Sequence, residues 1–184
     1  MLPSDPESLP AAAAAAVGVA AQARRIIVVS DDWPLISLGR LNLIGLLTAL
    51  FAEVQVPDVV IRECLARPGN PDTQRIRQAL DQRTLLPCPT PPQTLAGLDP
   101  GESATIVHAK AIGAAVLMDE RAGREQAQLL GLVVTGTLGV LVRARQQGLV
   151  GPLGPHIARL RASGQRLSHA AMLGALTAVG EAGP

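Results

Sequence analysis

The chain has 184 residues with a formal net charge of +1, and 48% of its residues are hydrophobic although only 1% are aromatic. This length suits one domain with a sizeable core of Leu, Val, Ile and Ala. The near-neutral charge excludes a strongly basic nucleic-acid-binding surface, and the shortage of aromatic residues leaves few platforms for base stacking.

Cysteine and histidine usage excludes two further kinds of site. The two cysteines, Cys64 and Cys88, make neither a disulfide framework nor a zinc site. The three histidines lack the spacing of paired metal ligands such as H-E-x-x-H. A metal site in this chain would therefore depend on oxygen ligands.

Residues 1–24 are interpreted as a flexible or loosely helical Ala/Pro-rich extension ahead of a single domain at 25–184. The opening segment MLPSDPESLP is acidic and rich in proline, unlike the positive start of a signal peptide. The alanine tract after it is too short and too weakly apolar to span a membrane. We therefore expect a cytoplasmic protein that does not associate with membranes.

Apolar runs along the chain alternate between strand-like and helix-like patterns. Short runs without polar alternation predict strands that are covered on both faces. In chain order the predicted elements are strand 25–30, helix 43–51, strand 53–56, a helix from 58, helix 71–80, a Pro-rich connection over 84–97 that begins with a short strand, a helix from 100 to 112, strand 114–118, helix 121–130, strand 132–135, and helices 138–147, 152–162 and 168–179. This alternation predicts an α/β sandwich with a central, mostly parallel sheet flanked by helices.

The first predicted strand ends at an acidic doublet, Asp31 and Asp32. Ligands of open α/β sheets bind beyond the carboxyl ends of the strands, so these acids are site candidates. Alternatively, the doublet has only a structural role, as a turn and the N-cap of a helix that begins before Pro34. Further along, Glu63 lies in the middle of the helix that starts at Asp58, where a glutamate is usually a solvated residue.

The stretch LDPGESATIVHAKAIGAAVLMDE joins a helix start, a buried strand and two acids. Asp99 suits an N-cap, and Glu102 stands where a capping box needs Glu, ahead of an apolar helical face. Gly113 supplies the C-terminal stop, after which Ala114–Met118 read as an apolar strand. Asp119 follows that strand directly and is therefore another acid at the carboxyl edge of the sheet.

Asp31 and Asp119 both follow apolar strands, so a parallel sheet would bring them to the same rim, whereas the sequence places Glu102 less directly. Two carboxylates about 4 Å apart repel by roughly 4 kcal/mol at an effective dielectric of about 20. A cation or shifted pKa values would have to offset that repulsion. Oxygen ligands without His or Cys favour Mg²⁺ or Mn²⁺, and ions held in this way serve nuclease or phosphatase chemistry.

Three segments of the chain resemble PIN-domain proteins, namely VVSDDWPLISLGRL, VPDVVIRECL and LDPGESATIVHAKAIGAAVLMDERAGREQAQLLGLVVTGTLGVLVRARQQG. The blocks GESA, MDERAGR and TGTLGVL stand in the family's order and spacing, and the similarity covers residues 25–179. The branch that it resembles is a little-characterised prokaryotic group related to VapC-like toxin ribonucleases. The resemblance implies a PIN-like three-layer sandwich with an acidic pocket that binds Mg²⁺ or Mn²⁺.

The resemblance also implies a role for four acids. Asp31, Glu63, Glu102 and Asp119 would form the catalytic set, which positions water for in-line attack on an RNA phosphodiester. Asp31, Glu102 and Asp119 would hold the metal ions, while Glu63 would act through water or orient a ligand.

Three other residues are weaker candidates for contact with the substrate. Arg121 and Arg124 lie one helical turn apart beyond Asp119, where they could meet a substrate phosphate or pair with the acids. Thr137 could form a hydrogen bond in the pocket, or simply cap the following helix.

One position departs from the family pattern. After the first acid, related proteins usually carry small hydroxyl residues such as D-T-S-P, whereas this chain has Asp32 and Trp33 before Pro34. The departure removes a hydroxyl from the neighbourhood of the metal and introduces an indole. Asp32 would either add a ligand or mark a weakly active site.

Three functions are compatible with these patterns, in decreasing order of support. The first is a metal-dependent endoribonuclease that is the toxin of a toxin–antitoxin pair, with RNA as substrate, a small antitoxin as partner and a homodimer as assembly. The second is a catalytically weak or inactive PIN-like binding or regulatory module, favoured by Trp33 and the low basic excess. The third, a receiver-like phosphoacceptor, lacks the Lys that should follow a later strand, because Lys110 lies on a different element.

Overall fold

The computed structural model describes residues 26–182, and the predicted extension at 1–24 lies outside that range. Between these limits the chain forms five strands and nine helices. The strands are β1 (Ile27–Ser30), β2 (Glu53–Pro57), β3 (Leu86–Cys88), β4 (Ala115–Leu117) and β5 (Val134–Thr135). The helices are α1 (Asp32–Leu41), α2 (Leu46–Leu50), α3 (Asp58–Leu65), α4 (Pro71–Asp81), α5 (Pro100–Ile112), α6 (Arg121–Leu129), α7 (Thr137–Gln146), α8 (Leu153–Ala162) and α9 (His169–Thr177). None of these helices is both long and apolar enough to cross a lipid bilayer.

The strands form one parallel sheet in the order β3-β2-β1-β4-β5. The chain builds outwards from β1 to β3 on one side and then continues with β4 on the other, so the strand order reverses between β1 and β4. Open α/β sheets bind ligands at such a reversal, beyond the carboxyl ends of the strands. Ser30 at the end of β1 pairs with Leu117 at the end of β4, so the segments that follow both strands begin at one rim.

Helices cover both faces of the sheet. Successive residues of a strand point to opposite faces, and Val28 packs into a larger apolar cluster while Val29 packs into a smaller one. The larger cluster includes residues of α1–α4 and α7–α9, and the smaller one includes residues of α5 and α6. Both valines are fully buried, which explains why the strand lacks polar alternation. The expected three-layer α/β arrangement is therefore confirmed.

The first helical region differs from the sequence-based prediction. The expected helix over 43–51 is shortened to α2, and a longer helix, α1, begins directly after Asp31. Proline has no backbone N–H to donate. Pro34 is tolerated because N–H groups in the first turn of a helix have no intrahelical acceptor. α1 is capped at its C-terminus by Asn42, whose N–H donates to the carbonyl of Gly39 and whose φ of 60° turns the chain so that the N–H of Leu43 reaches the carbonyl of Leu38. An apolar run continues across this break, so hydrophobic periodicity alone could not locate the boundary.

Helix α5 begins and ends as the sequence predicts. Asp99 accepts the backbone N–H of Glu102 at 2.8 Å, and Glu102 accepts that of Asp99 at 3.0 Å, which makes a capping box. Gly113 ends the helix with a φ of 67°, a conformation that glycine adopts at little cost. α5 packs against β1, β2 and β4, and its first turn lies at the rim beside Asp31.

Candidate active site

The carboxylate that follows β1 is buried and only partly satisfied. Asp31 is 2% exposed, and its backbone N–H donates to the carbonyl of Leu117 at 3.0 Å. Asp31 occupies the N-cap position of α1, but its side chain makes no capping hydrogen bond. Its Oδ2 atom is buried and has no hydrogen-bond partner among residues 26–182. Helix capping therefore does not account for this side chain.

Three carboxylates converge on Gly101 in the first turn of α5. A Cβ atom at this position would lie 2.5 Å from Glu63 Oε2, 3.3 Å from Asp31 Oδ1 and 3.4 Å from Asp99 Oδ1. Since Gly101 has no side chain, oxygens from the end of β1, from α3 and from the start of α5 share this space. The structure thus places Glu63 near Asp31 and adds Asp99, while the catalytic role that the family resemblance implies for Glu63 stays a prediction.

Burial and mutual repulsion raise the pKa values of these acids. The pKa of Asp31 lies well above its usual range, because of burial first and the negative charge of Asp32 second. Burial also raises the pKa of Asp32. The pKa of Glu63 is raised to about 7 by partial burial of its carboxyl group and by the charges of Asp32 and Asp99. A cation among these oxygens would oppose both the burial cost and the mutual repulsion of the carboxylates, and would lower their pKa values.

Glu102 faces the same group of acids but is tied to the backbone. Its Oε2 accepts the N–H of Asp99 in the capping box, and its Oε1 would lie 3.1 Å from a Cβ at Gly123 in α6. Burial raises the pKa of Glu102, while hydrogen bonds from the backbone of Asp99 and Gly123 oppose the increase. At least one oxygen of Glu102 therefore has a structural role.

The acid that follows β4 is held by hydrogen bonds on both of its oxygens. Asp119 Oδ1 accepts the backbone N–H of Thr137 at 2.7 Å, and Oδ2 accepts the Thr137 hydroxyl at 2.6 Å. Oδ2 also accepts the side-chain amide of Gln165 at 3.2 Å. The N-cap of α7 is Gly136 rather than Thr137, so the hydroxyl of Thr137 serves the acid and not the helix.

Gln165 connects this acid to the core. It is buried in the loop between α8 and α9, and its Oε1 accepts the hydroxyl of Ser37 on α1 at 2.8 Å. Burial raises the pKa of Asp119, whereas the hydrogen bonds from Thr137 and the charge of Arg124 lower it. Asp119 is therefore oriented by three donors from two segments that are distant in sequence, the start of α7 and the loop after α8.

The two candidate arginines have partners other than the predicted catalytic acids. Arg121 is exposed and forms an ion pair with Glu125, one turn along α6, at 2.6 Å. Arg124 is half-buried, and its Nη1 donates to the carbonyl of Met118 at 2.8 Å. Within residues 26–182, neither arginine forms an ion pair with the four predicted catalytic acids. Their contact with a substrate stays a prediction.

The chemistry of the donors suits a hard divalent cation. The candidate donors are carboxylates, Asp31 Oδ2 is unsatisfied, and carboxylate oxygens surround the space at Gly101. In the described part of the chain, however, no group of three or more His, Cys, Asp and Glu side chains is arranged to hold a metal ion. The metal-ligand set of Asp31, Glu102 and Asp119 therefore stays a prediction. Oδ2 of Asp31 is free to bind a metal ion, whereas Glu102 and Asp119 already accept hydrogen bonds.

A cleft of about 1150 Å³ reaches Asp119 and extends between α6, β5 and the loop that joins α8 to α9. Its wall includes Trp33, Arg124, Gln165 and Arg166. An extended ligand in this cleft would meet three acids, three arginines and an aromatic ring.

Sequence reasoning missed Asp99, Gly101 and Gln165 as parts of the site. The capping pattern fully accounted for Asp99, and nothing in the sequence indicated that Gly101 faces other acids. Gln165 lies in a loop without a local pattern, and only its tertiary contacts reveal its role.

Comparisons with known proteins agree with this architecture. Residues 27–181 match the model of a family described as DUF3368: PIN domain. Among solved structures, the chain is similar to a PilT N-terminus domain protein from the hyperthermophilic archaeon Sulfolobus solfataricus P2, with 17% sequence identity and a TM-score of 0.50. That match covers 65% of this chain and 93% of the other, and it shows the fold alone. A comparison with curated proteins finds no match.

Proposed function

This chain belongs to the DUF3368 family of PIN domains, and we propose that it is a cytoplasmic, metal-dependent endoribonuclease that hydrolyses RNA phosphodiesters. PIN domains are typically nucleases and generally use divalent metals. The family therefore supports the class of enzyme, while the arrangement of acids supports the choice of metal chemistry.

The proposal depends above all on the unsatisfied Oδ2 atom of Asp31. A buried polar group without a hydrogen bond costs about 1–3 kcal/mol, and a charged one costs more. The charges of Asp32, Asp99 and Glu102 add to that cost. A divalent cation is the ligand that would offset both the missing hydrogen bond and the repulsion.

Each acid would contribute differently to the reaction. A bound Mg²⁺ or Mn²⁺ would lower the pKa of a water molecule and offset charge on the phosphoryl oxygens. Asp31 would be its principal ligand, with Glu102 and Asp119 on adjoining elements. Thr137 would keep the carboxylate of Asp119 in one orientation. Glu63, whose pKa is about 7, would orient water or accept a proton at neutral pH.

Thermal unfolding with and without Mn²⁺ tests the metal site. Mn²⁺ at about 100 times its Kd would stabilise the folded protein by roughly 2.7 kcal/mol. For a chain of this size, that corresponds to a rise in Tm of about 5–10 °C. Asp31→Asn should abolish both the rise and RNA cleavage, because the amide keeps the shape of the side chain but lacks its charge.

Glu102→Gln provides the matched control for folding. Because Gln also satisfies a capping box, this variant should unfold at nearly the same temperature without metal and respond more weakly to Mn²⁺. A Tm rise that persists in Asp31→Asn, or no rise in the unmodified protein, contradicts the metal site. Metal binding without RNA cleavage contradicts the ribonuclease activity.

The toxin role, a small antitoxin partner and a homodimer are proposed from the family resemblance. Expression of the unmodified chain in a bacterial host should slow growth and degrade RNA, whereas Asp31→Asn should do neither. Light scattering of the purified protein should give the mass of a dimer. Equal growth of the two cultures contradicts the toxin role, and a monomer mass contradicts the dimer.

A non-catalytic binding or regulatory module is the second candidate. It is favoured by Asp119, whose oxygens already accept three hydrogen bonds, and by the lack of an arranged ligand group among residues 26–182. Such a module would show neither a Mn²⁺-dependent rise in Tm nor RNA cleavage. The unfolding and cleavage measurements therefore separate the two candidates.

A further inference from the structure

Trp33 is the one tryptophan of the chain, and it belongs to neither apolar cluster. It is the second residue of α1, two positions after Asp31, and 36% of its surface is exposed. Its side chain lines the cleft that also reaches Asp119. The largest side chain of the protein therefore lies on the wall of the candidate site rather than in the interior.

Charged residues of both signs line the cleft around this ring, namely Arg121, Arg124 and Arg166 with Asp119, Glu120 and Glu125. Arg166 is exposed on the same wall and takes part in neither of the ion pairs found among residues 26–182. Glu125, which also lines the cleft, is paired with Arg121. An aromatic face together with an arginine beside an acid matches the base and the phosphate of a nucleotide.

We propose that Trp33 is a substrate-binding residue that stacks on an unpaired base next to the phosphodiester that is cleaved. This inference rests on the proposed ribonuclease function and assigns a base-contacting residue to its site. Bases in a duplex stack on one another, so their faces cannot reach an aromatic side chain, whereas unpaired bases can splay out onto it. Stacking of one base on an aromatic ring strengthens binding by about 5- to 150-fold.

The intrinsic fluorescence of the protein reports on this residue directly. The chain contains one Trp and no Tyr, so tryptophan emission comes from Trp33 alone. A phosphorothioate-linked oligoadenylate resists cleavage and can be titrated into the full chain in Mg²⁺. It should quench the emission, while inorganic polyphosphate, which has charge but no bases, should not. A duplex of the same length should quench less than the single strand.

Two substitutions separate stacking from apolar bulk. Trp33→Leu keeps an apolar side chain without a π face and should weaken binding of the labelled oligoadenylate by about 10-fold. Trp33→Phe keeps an aromatic face and should lose less than about 3-fold. Leu173→Ala is the control, because Leu173 is an exposed apolar residue on α9 outside the cleft, and it should leave the affinity unchanged. Thermal unfolding of each variant establishes that it is folded.

The outcomes distinguish this inference from the proposed function. If the unmodified protein cleaves RNA while Trp33→Leu binds and cleaves equally well, the stacking role is overturned and the nuclease stands. Quenching by polyphosphate as strong as that by oligoadenylate, or equal quenching by duplex and single strand, also overturns it. If oligoadenylate quenches and Trp33→Leu weakens binding but no RNA is cleaved, the ribonuclease fails while the stacking role stands.

Discussion

Two aspartates follow neighbouring strands of one sheet, yet their surroundings differ. Asp31, after β1, is buried with an unpartnered Oδ2 and other carboxylates nearby. Asp119, after β4, accepts hydrogen bonds from Thr137 and Gln165 on both oxygens. The same position in the sheet thus supports a carboxylate that the fold holds in place and one that the fold leaves unsatisfied.

The segments that follow the two strands cause this difference. β1 runs directly into α1, and the side chain of Asp31 makes no capping hydrogen bond at the start of that helix. Asp119 instead faces the start of α7 and the loop after α8, which supply three donors. Hydrogen bonds to a charged group contribute about 1.5–3 kcal/mol each, so the donors around Asp119 offset part of the cost of burying it, whereas Oδ2 of Asp31 has no such donor among residues 26–182.

The largest expected effect is that Asp→Asn changes the free energy of unfolding in opposite directions at the two positions. In metal-free protein, Asp119→Asn should lower the free energy of unfolding by about 2 kcal/mol, because one acceptor becomes a donor among existing donors. Asp31→Asn should raise it by about 1 kcal/mol, because the substitution removes a repelled charge from a site kept for function. Urea denaturation with a chelator present measures both changes. Effects of the same sign would contradict the contrast between the two acids.

A smaller effect is expected from a substitution that displaces the held acid. A Cβ at Gly136 would lie 2.6 Å from Asp119 Oδ1, 3.0 Å from Arg124 Nη1 and 3.1 Å from the backbone carbonyl oxygen of Met118. The φ of Gly136 is −131°, which alanine adopts freely, so any loss reflects these contacts. Gly136→Ala should cost about 1–2 kcal/mol in urea denaturation, less than the separation of about 3 kcal/mol between the two aspartate variants.

Gly174 in α9 is the control for that substitution, because a Cβ there would meet nothing within 4 Å. Gly174→Ala should be neutral or stabilise the protein by up to about 1 kcal/mol, as expected for alanine in a helix. Equal losses at the two glycines would show that the contact with Asp119 is not the cause.

The smallest expected effect is the pH dependence of stability that arises from Glu63, an acid close to Asp31. The pKa of Glu63 is raised from 4.5 to about 7, so the folded protein holds an extra proton between these values. Its contribution to stability is therefore complete below about pH 4.5 and is lost as the pH rises through about 7. Glu63→Gln should remove this part of the pH dependence. The change in the free energy of unfolding should be less than about 1 kcal/mol, because solvent screens a largely exposed side chain.

Urea midpoints of the metal-free protein and of Glu63→Gln, measured across that pH window, isolate this contribution. The other acids with raised pKa values change stability in the same direction, and they are common to both proteins. Parallel pH profiles for the two proteins would contradict the assignment to Glu63.

The sequence by itself determined the features that depend on neighbouring residues. The capping box of Asp99 and Glu102 spans three positions, and the glycine that ends α5 acts through its own φ. Uninterrupted apolar runs showed which segments are covered on both faces, and with the alternating helices they showed a parallel sheet. Asp31 and Asp119 were placed at one rim by the same logic.

Only the tertiary structure decided which of these acids has partners. The bond from Ser37 to Gln165 joins residues 128 positions apart, and the bond from Gln165 to Asp119 joins residues 46 positions apart. Likewise, Glu63 meets Asp31 at Gly101 because α3 and α5 pack against each other. Local patterns carry no information about such pairs, since each depends on how the helices pack on the sheet and not on the residues beside it in the chain.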